Sequence, residues 1–212
     1  MTAATRRAAL RRWMLAAGAL ATPVLLRPPV ASAQDDEDPA VLEEFLVEAI
    51  VLEQITVLAY ATAGGELEDD RRLARTLERF ERQEQIHAKA LRSALDSIGV
   101  ELPDAPASPD DVQAIEDAGA IDDERAEELT GLLGELDGLT GRDELLEHLI
   151  RLEEEQLRYF LDQAPTLEAE DILRTGVEIA ACQAQHIVVL REALGASPAE
   201  AVPEVPATAA SS

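Results

Sequence analysis

A single cysteine, Cys182, and a single lysine, Lys89, stand among 212 residues, and the aromatic side chains number only six. One thiol cannot pair within the chain, so a disulfide-stapled secreted fold is excluded. Basic residues are also scarce: 18 Lys and Arg face 43 Asp and Glu, for a formal net charge of -25. A nucleic-acid binder needs a basic footprint to neutralise phosphates, and that class falls too. No sustained period-two alternation marks a strand, no serine elbow accompanies the three histidines, and no glycine-rich phosphate loop follows a strand. Apolar residues, by contrast, make up 47% of the chain, enough for the core of one ordinary domain with appendages.

The first appendage reads as an export signal over residues 1–33. Arg6, Arg7, Arg11 and Arg12 precede an apolar run from Trp13 to Leu26, and Ala31-Ser32-Ala33 supplies a small-x-small cleavage site. The apolar run falls short of the roughly 20 residues a spanning helix needs, and no later stretch is apolar and uncharged for that long, so no integral membrane segment is expected after cleavage. Arg11-Arg12-Trp13-Met14-Leu15 resembles the twin-arginine signal, which implies export of an already folded, often cofactor-bearing protein; a general secretory signal is the alternative. The expected location is the periplasm, cell envelope or exterior. From Gln34 onward 13 basic residues face 43 acidic ones, a net -30 that attracts cations and repels nucleic acid and anionic lipid. Residues 34–38 form a short acidic linker, and residues 196–212, rich in Ala, Pro, Val and Ser, are expected to be a disordered tail.

Between linker and tail the pattern is helical throughout, and an all-α bundle is expected over residues 39–195. The first long helix is predicted from Pro39 to Ala63, with Asp38 as N-cap and Gly64-Gly65 as its stop. The second runs from about Glu68 to Ile98 and ends at Gly99. The third spans Asp143 to Gln163, opened by a Thr140-x-x-Asp143 capping box, and the fourth runs from Glu168 to Leu194, closed by Gly195 and Pro198. Short links of about four residues make helices one and two, and helices three and four, antiparallel hairpins. The connection over residues 100–142 is long enough to travel the bundle, with short helices expected after Ser108-Pro109 and over Asp123 to Leu136. On that reading helix three starts at the end of the bundle where helix one starts.

Each long helix carries one apolar stripe, and a polar residue interrupts each stripe at mid-length. Helix one gives Leu46, Ala49 or Ile50, Glu53, Val57 and Tyr60; helix two gives Leu73, Leu77, Phe80, Glu84, His87, Leu91 and Leu95. Helix three gives Leu145, Leu149, Leu152 with Glu153, Gln156 and Phe160; helix four gives Ile172, Gly176, Ile179, Gln183, His186, Leu190 and Ala193. Three carboxylates facing a bundle axis cost several kcal/mol per ion unless something positive compensates, and no Lys or Arg shares the stripes. Protons, water in a polar cavity or metal remain, and Glu oxygens with His nitrogens suit iron, manganese or zinc. Glu84-x-x-His87 places an oxygen and a nitrogen on one helix face. The hairpins also repeat: His87, Leu91, Arg92, Ala94 and Leu95 recur 99 positions later as His186, Leu190, Arg191, Ala193 and Leu194, and Leu52-Glu53 recurs as Leu152-Glu153. A two-fold pair of hairpins sets Glu53 opposite Glu153, and Glu84 with His87 opposite Gln183 with His186.

Six such positions in register across four stripes resemble the ferritin-like superfamily of di-iron and di-manganese carboxylate four-helix bundles, two antiparallel hairpins joined by a long crossover. The resemblance implies a dimetal centre that reacts with dioxygen or peroxide or handles iron, as in ferritins, rubrerythrins and manganese catalases. It implies Glu53 and Glu153 as terminal carboxylates, Glu84 as a bridging carboxylate, and His87 and His186 as one nitrogen ligand for each iron or manganese ion. Gln183 departs from the pattern, standing where a second bridging Glu is expected, so the centre is dinuclear, or mononuclear if the amide disables half of it. Glu154 and Glu178, each near a stripe, are candidates to replace the missing carboxylate. Gln183 itself either ligates or hydrogen-bonds a neighbouring Glu.

The remaining candidates read as structural: Tyr60 packs rather than serving redox chemistry, Cys182 packs between helices, and His148 falls off the stripe and onto the surface. The expected partners are metal ions with dioxygen or peroxide, and a homodimer is admissible. The alternative to an iron- or peroxide-handling centre is a bundle with a degenerate site serving a structural, stress-protective or partner-binding role; a storage cage ranks third.

Overall fold

The computed structural model describes residues 39–100, 102, 121, 123–136 and 138–203. The predicted signal, the acidic linker with Asp38, the short helix after Ser108-Pro109 and the end of the tail lie outside the described residues. Among those described there is no strand. Four long helices, α1 (Pro39–Glu66), α2 (Arg71–Ser97), α4 (Arg142–Gln163) and α5 (Glu170–Leu194), form the bundle. A fifth, α3 (Asp123–Leu136), belongs to the crossover and has the predicted bounds, and α6 (Pro198–Ala201) follows the bundle.

The ends of the helices follow local chemistry, in places differently from the prediction. Gly64-Gly65 does not stop α1, which continues to Glu66 because neither glycine adopts a left-handed backbone and Leu67 is buried. Asp70 caps α2, its carboxylate accepting from the backbone N–H of Arg72 and Leu73 at 3.3 and 3.2 Å. Gly99 and Gly195, at φ of +82° and +100°, close α2 and α5 as expected. The capping box of α4 sits one residue later than predicted: the Glu144 carboxylate accepts from Gly141 N–H at 3.3 Å, and Thr140 takes no part. The tail is ordered at its start, where the Ser197 hydroxyl donates to Glu200 at 2.6 Å, Arg191 donates to the carbonyl of Val202 at 3.1 Å, and Ala201 is buried.

Helix pairs α1/α2 and α4/α5 are antiparallel hairpins; Arg142, at the start of α4, donates to the carbonyl of Ala193, near the end of α5, at 2.8 Å. The direction of α4 corrects the sequence reading. Phe45, near the start of α1, stacks on Tyr159 and meets Phe160 edge-on, with centroids 5.8 and 5.9 Å apart, so α4 ends rather than starts beside the start of α1. The reason is topological. Helix α2 already returns the chain to that end, and a connection that then travels the bundle delivers it to the opposite one.

Helix α3 lies along this crossover and buries Ala126, Leu129, Leu133 and Leu136. Each leucine removed from water contributes on the order of 1.5–3 kcal/mol. Arg125 fixes the helix at one end, pairing with Glu48 of α1, Glu128 of its own helix and Glu155 of α4, over the ring of Tyr159. The other end covers His148, which is fully buried and not at the surface as its position off the stripe predicted. Its Nδ1 lies 3.1 Å from Arg151 and 3.3 Å from Glu135 of α3. Burial and the Arg151 guanidinium lower the His148 pKa, against the opposing pull of Glu135.

Helix α1 is the one described helix long and apolar enough to span a membrane, but 67% of its apolar window is buried in the bundle, which accounts for its composition. Its two exposed-end glycines make a direct test of its length. A Cβ at Gly65 would meet nothing within 4 Å. Gly65→Ala is therefore expected to stabilise the protein by about 0.5–1 kcal/mol, read from the urea midpoint; no gain would place the end of α1 before this residue.

Candidate metal centre

The four interruptions of the apolar stripes meet at one level of the bundle. Glu53, Glu84, Glu153 and Gln183 have no exposed surface, and His186 and His87 retain 2% and 8%. Two groups of possible ligands result, Glu53 with Glu84 and His87, and Glu84 with Glu153 and His186, each with its atoms within 4.8 Å of one another. Glu84 is common to both. His87 Nδ1 lies 3.2 Å from Glu84 Oε2 and 3.6 Å from Glu53 Oε2. His186 Nδ1 lies 2.9 Å from Glu153 Oε1 and 3.0 Å from Glu84 Oε1. All six sequence candidates are thus brought together, and the two-fold relation expected from the repeat appears as two triads around one shared carboxylate.

Neighbouring side chains hold these groups in place. Gln183 donates from Nε2 to Glu53 Oε1 at 3.2 Å, the hydrogen-bonding role among its two sequence readings. The Tyr60 hydroxyl donates to Glu153 Oε1, so this residue packs and also orients a carboxylate. Phe80 stacks on the His186 ring with centroids 3.9 Å apart, and Tyr60 meets the same ring edge-on. His186 Nε2 faces Gln83 Oε1 at 3.1 Å and Cys182 Sγ at 3.5 Å. Cys182 is half-buried beside the site, as its interhelical reading implied. Sequence reasoning missed Gln83 and Phe80 as supports, since a partly exposed Gln and a core Phe carry no distinguishing spacing. Glu154 is turned outward to pair with Arg191, and Glu178 is partly exposed and in neither triad, so neither replaces a missing carboxylate.

The titratable groups shift one another's proton affinity. Burial, followed by the charge of Glu84, raises the Glu53 pKa well above the carboxylate range. Burial also opposes ionisation of Glu84, but the His87 imidazolium and hydrogen bonds from Glu53 and His186 hold its pKa well below that range. Burial opposes charge on both imidazoles too, yet Glu84 raises His87 and Glu153 raises His186 well above the usual 6.5. Burial leaves Glu153 raised despite His186, and lifts the Tyr60 phenol well beyond its ordinary range, so that it stays a donor.

The residues also fit a metal. Glu153 Oε2 and Gln183 Oε1 are buried oxygens that make no hydrogen bond. Acceptors left so in a core are costly, and cations are the partners that three carboxylates, two imidazoles and an amide oxygen suit.

The imidazolium pairs stabilise the metal-free fold below about pH 6.5, and that contribution is lost as pH rises through the raised folded values. The three histidines should therefore separate in an NMR titration of the metal-free protein, with His87 and His186 titrating above 6.5 and His148 below it. Signals assigned by His→Gln variants that gave all three ordinary midpoints would contradict the buried pairs.

Comparison with known protein families matches residues 46–196 to the ferritin-like domain, a span containing all six site residues and well over half of the chain. Neither curated proteins nor solved structures give a match. Fold, crossover and family match agree, and the chain belongs to the ferritin-like domain family.

Proposed function

We propose that this ferritin-like protein is an exported metal-binding protein whose centre takes two iron or manganese ions and handles iron, dioxygen or peroxide. The observation that carries the reading is the sharing of Glu84 between two buried Glu/Glu/His triads. Glu53 and His87 would hold one ion, Glu153 and His186 the other, with Glu84 between them and the Gln183 amide oxygen as a further neutral donor. Bound there, the metal would supply electron transfer to or from dioxygen or peroxide. Export rests on the Arg-rich, apolar N-terminus and its Ala31-Ser32-Ala33 site.

The chain's own groups prepare the site for such chemistry. Tyr60 and Gln183 fix the orientation of Glu153 and Glu53, and Phe80 holds the plane of the His186 ring. The apolar layers above and below the carboxylates exclude bulk water, leaving His87 as the most exposed of the six residues. Loading must displace the protons on His87, His186 and Glu53, so metal affinity should fall as pH is lowered.

A second reading has its own support. Gln183 presents its donor nitrogen to Glu53, and the proton-paired site is already compensated without metal, as a structural, stress-protective or partner-binding bundle requires.

Elemental analysis after loading with ferrous iron in air distinguishes the two. Near two irons per chain is expected, with His87→Ala and His186→Ala each losing about one or more. Zinc or manganese retained in place of iron would revise the metal but keep the site. No retained metal, with both variants folding as well as the parent, would leave the metal-free reading.

A further inference from the structure

One fully buried polar side chain has no role in the site so far. Gln156 lies on α4 three residues beyond Glu153, on the same stripe, and neither its amide nitrogen nor its amide oxygen makes a hydrogen bond. Helices α2 and α4 run parallel, since each is antiparallel to α1, so a three-residue step has the same sense on both. Gln156 therefore sits on the His87 side of the carboxylate layer. Its counterpart in the repeat, Thr56, is different: its hydroxyl donates within its own helix to the Leu52 carbonyl at 3.1 Å. The stranded amide thus has no counterpart at the repeat position on α1.

Charge supplies a second, independent argument. Two divalent ions against Glu53, Glu84 and Glu153 leave a formal excess of one positive charge in a site shut off from water. Among the described residues no further carboxylate joins either triad, Glu154 being engaged by Arg191 and Glu178 lying outside both. The buried Tyr60 hydroxyl serves as a donor to Glu153. Cys182 joins neither triad, its thiol lying 3.5 Å from His186 Nε2, so among the described residues no further side chain of the triads supplies the balancing charge.

We propose that a small exogenous monoanion completes the centre and that Gln156 holds it, the amide N–H donating to the anion in the Glu53 and His87 half. This rests on the two-metal reading above. The anion is taken as small because the stripe positions Ile50, Leu91 and Ile179 on the other three helices are fully buried apolar side chains. Its chemistry is that of a one- to three-atom hydrogen-bond acceptor such as hydroxide or a linear pseudohalide.

The test uses azide as the probe, titrated into the iron-loaded full chain and followed by charge-transfer absorption, with iron content and the thermal melt of the metal-free protein measured in parallel. The parent is expected to hold about two irons and bind azide. Gln156→Leu should keep its iron but bind azide at least about tenfold more weakly, as expected for losing a hydrogen bond to an anion. It should also melt no lower than the parent without metal, because it removes a stranded amide. Gln156→Glu supplies the missing carboxylate from the chain and should retain iron while excluding azide; this arm decides the matter if the leucine variant fails to fold. Azide binding to Gln156→Leu with the parent's affinity overturns the proposal while leaving the two-metal reading intact, as does loss of iron from that variant. A parent that takes up no iron overturns both.

Discussion

Three carboxylates withdrawn from water at the mid-length of a helical bundle impose the condition that the rest of the structure meets. An ion in such a place costs several kcal/mol unless a counter-charge reaches it, and among the described residues no arginine or lysine pairs with these three. The protein answers with two histidines, each set beside a carboxylate, and with a Glu53 whose pKa burial raises. A metal-free core balanced in this way is also a core whose protons a cation can replace. The same geometry serves the folded state and the proposed chemistry.

Support comes from layers outside the ligand set. Tyr60, Gln183 and Phe80 take orientations from neighbouring helices and pass them to Glu153, Glu53 and His186. Farther out, Arg125 ties the crossover helix to α1 and α4 through Glu48 and Glu155, holding together the helices that bear Glu53 and Glu153. Gly176 admits Phe160 toward the axis, since a Cβ there would stand 3.3 Å from the ring, and the ring closes the apolar layer at one end. The polar layer is thus enclosed by side chains whose own positions are fixed.

Much of this was legible from spacing. Glu53, Glu84, His87, Glu153, Gln183 and His186 could be picked out because each interrupts an apolar stripe, and a periodicity of 3.6 residues is a property of one helix at a time. The crossover helix over Asp123 to Leu136 was legible for the same reason. Errors arose where a second element intervenes. His148 looked exposed because its own helix places it off the axis, but α3 covers it. Glu154 looked available because its stripe is near the centre, but Arg191 on α5 draws it away. Gly64-Gly65 looked like a stop because glycine is a weak helix former, yet the buried contact of Leu67 outweighs that preference.

By itself the sequence determined four amphipathic helices, their pairing into two hairpins and the residues that point inward, all consequences of local periodicity and short connections. Tertiary structure decided that α4 ends beside the start of α1, that Gln183 turns its nitrogen to Glu53, and that Gln156 is left without a hydrogen bond. Those outcomes depend on helix direction and on distances of a few ångströms across the axis, which no spacing within a single helix encodes.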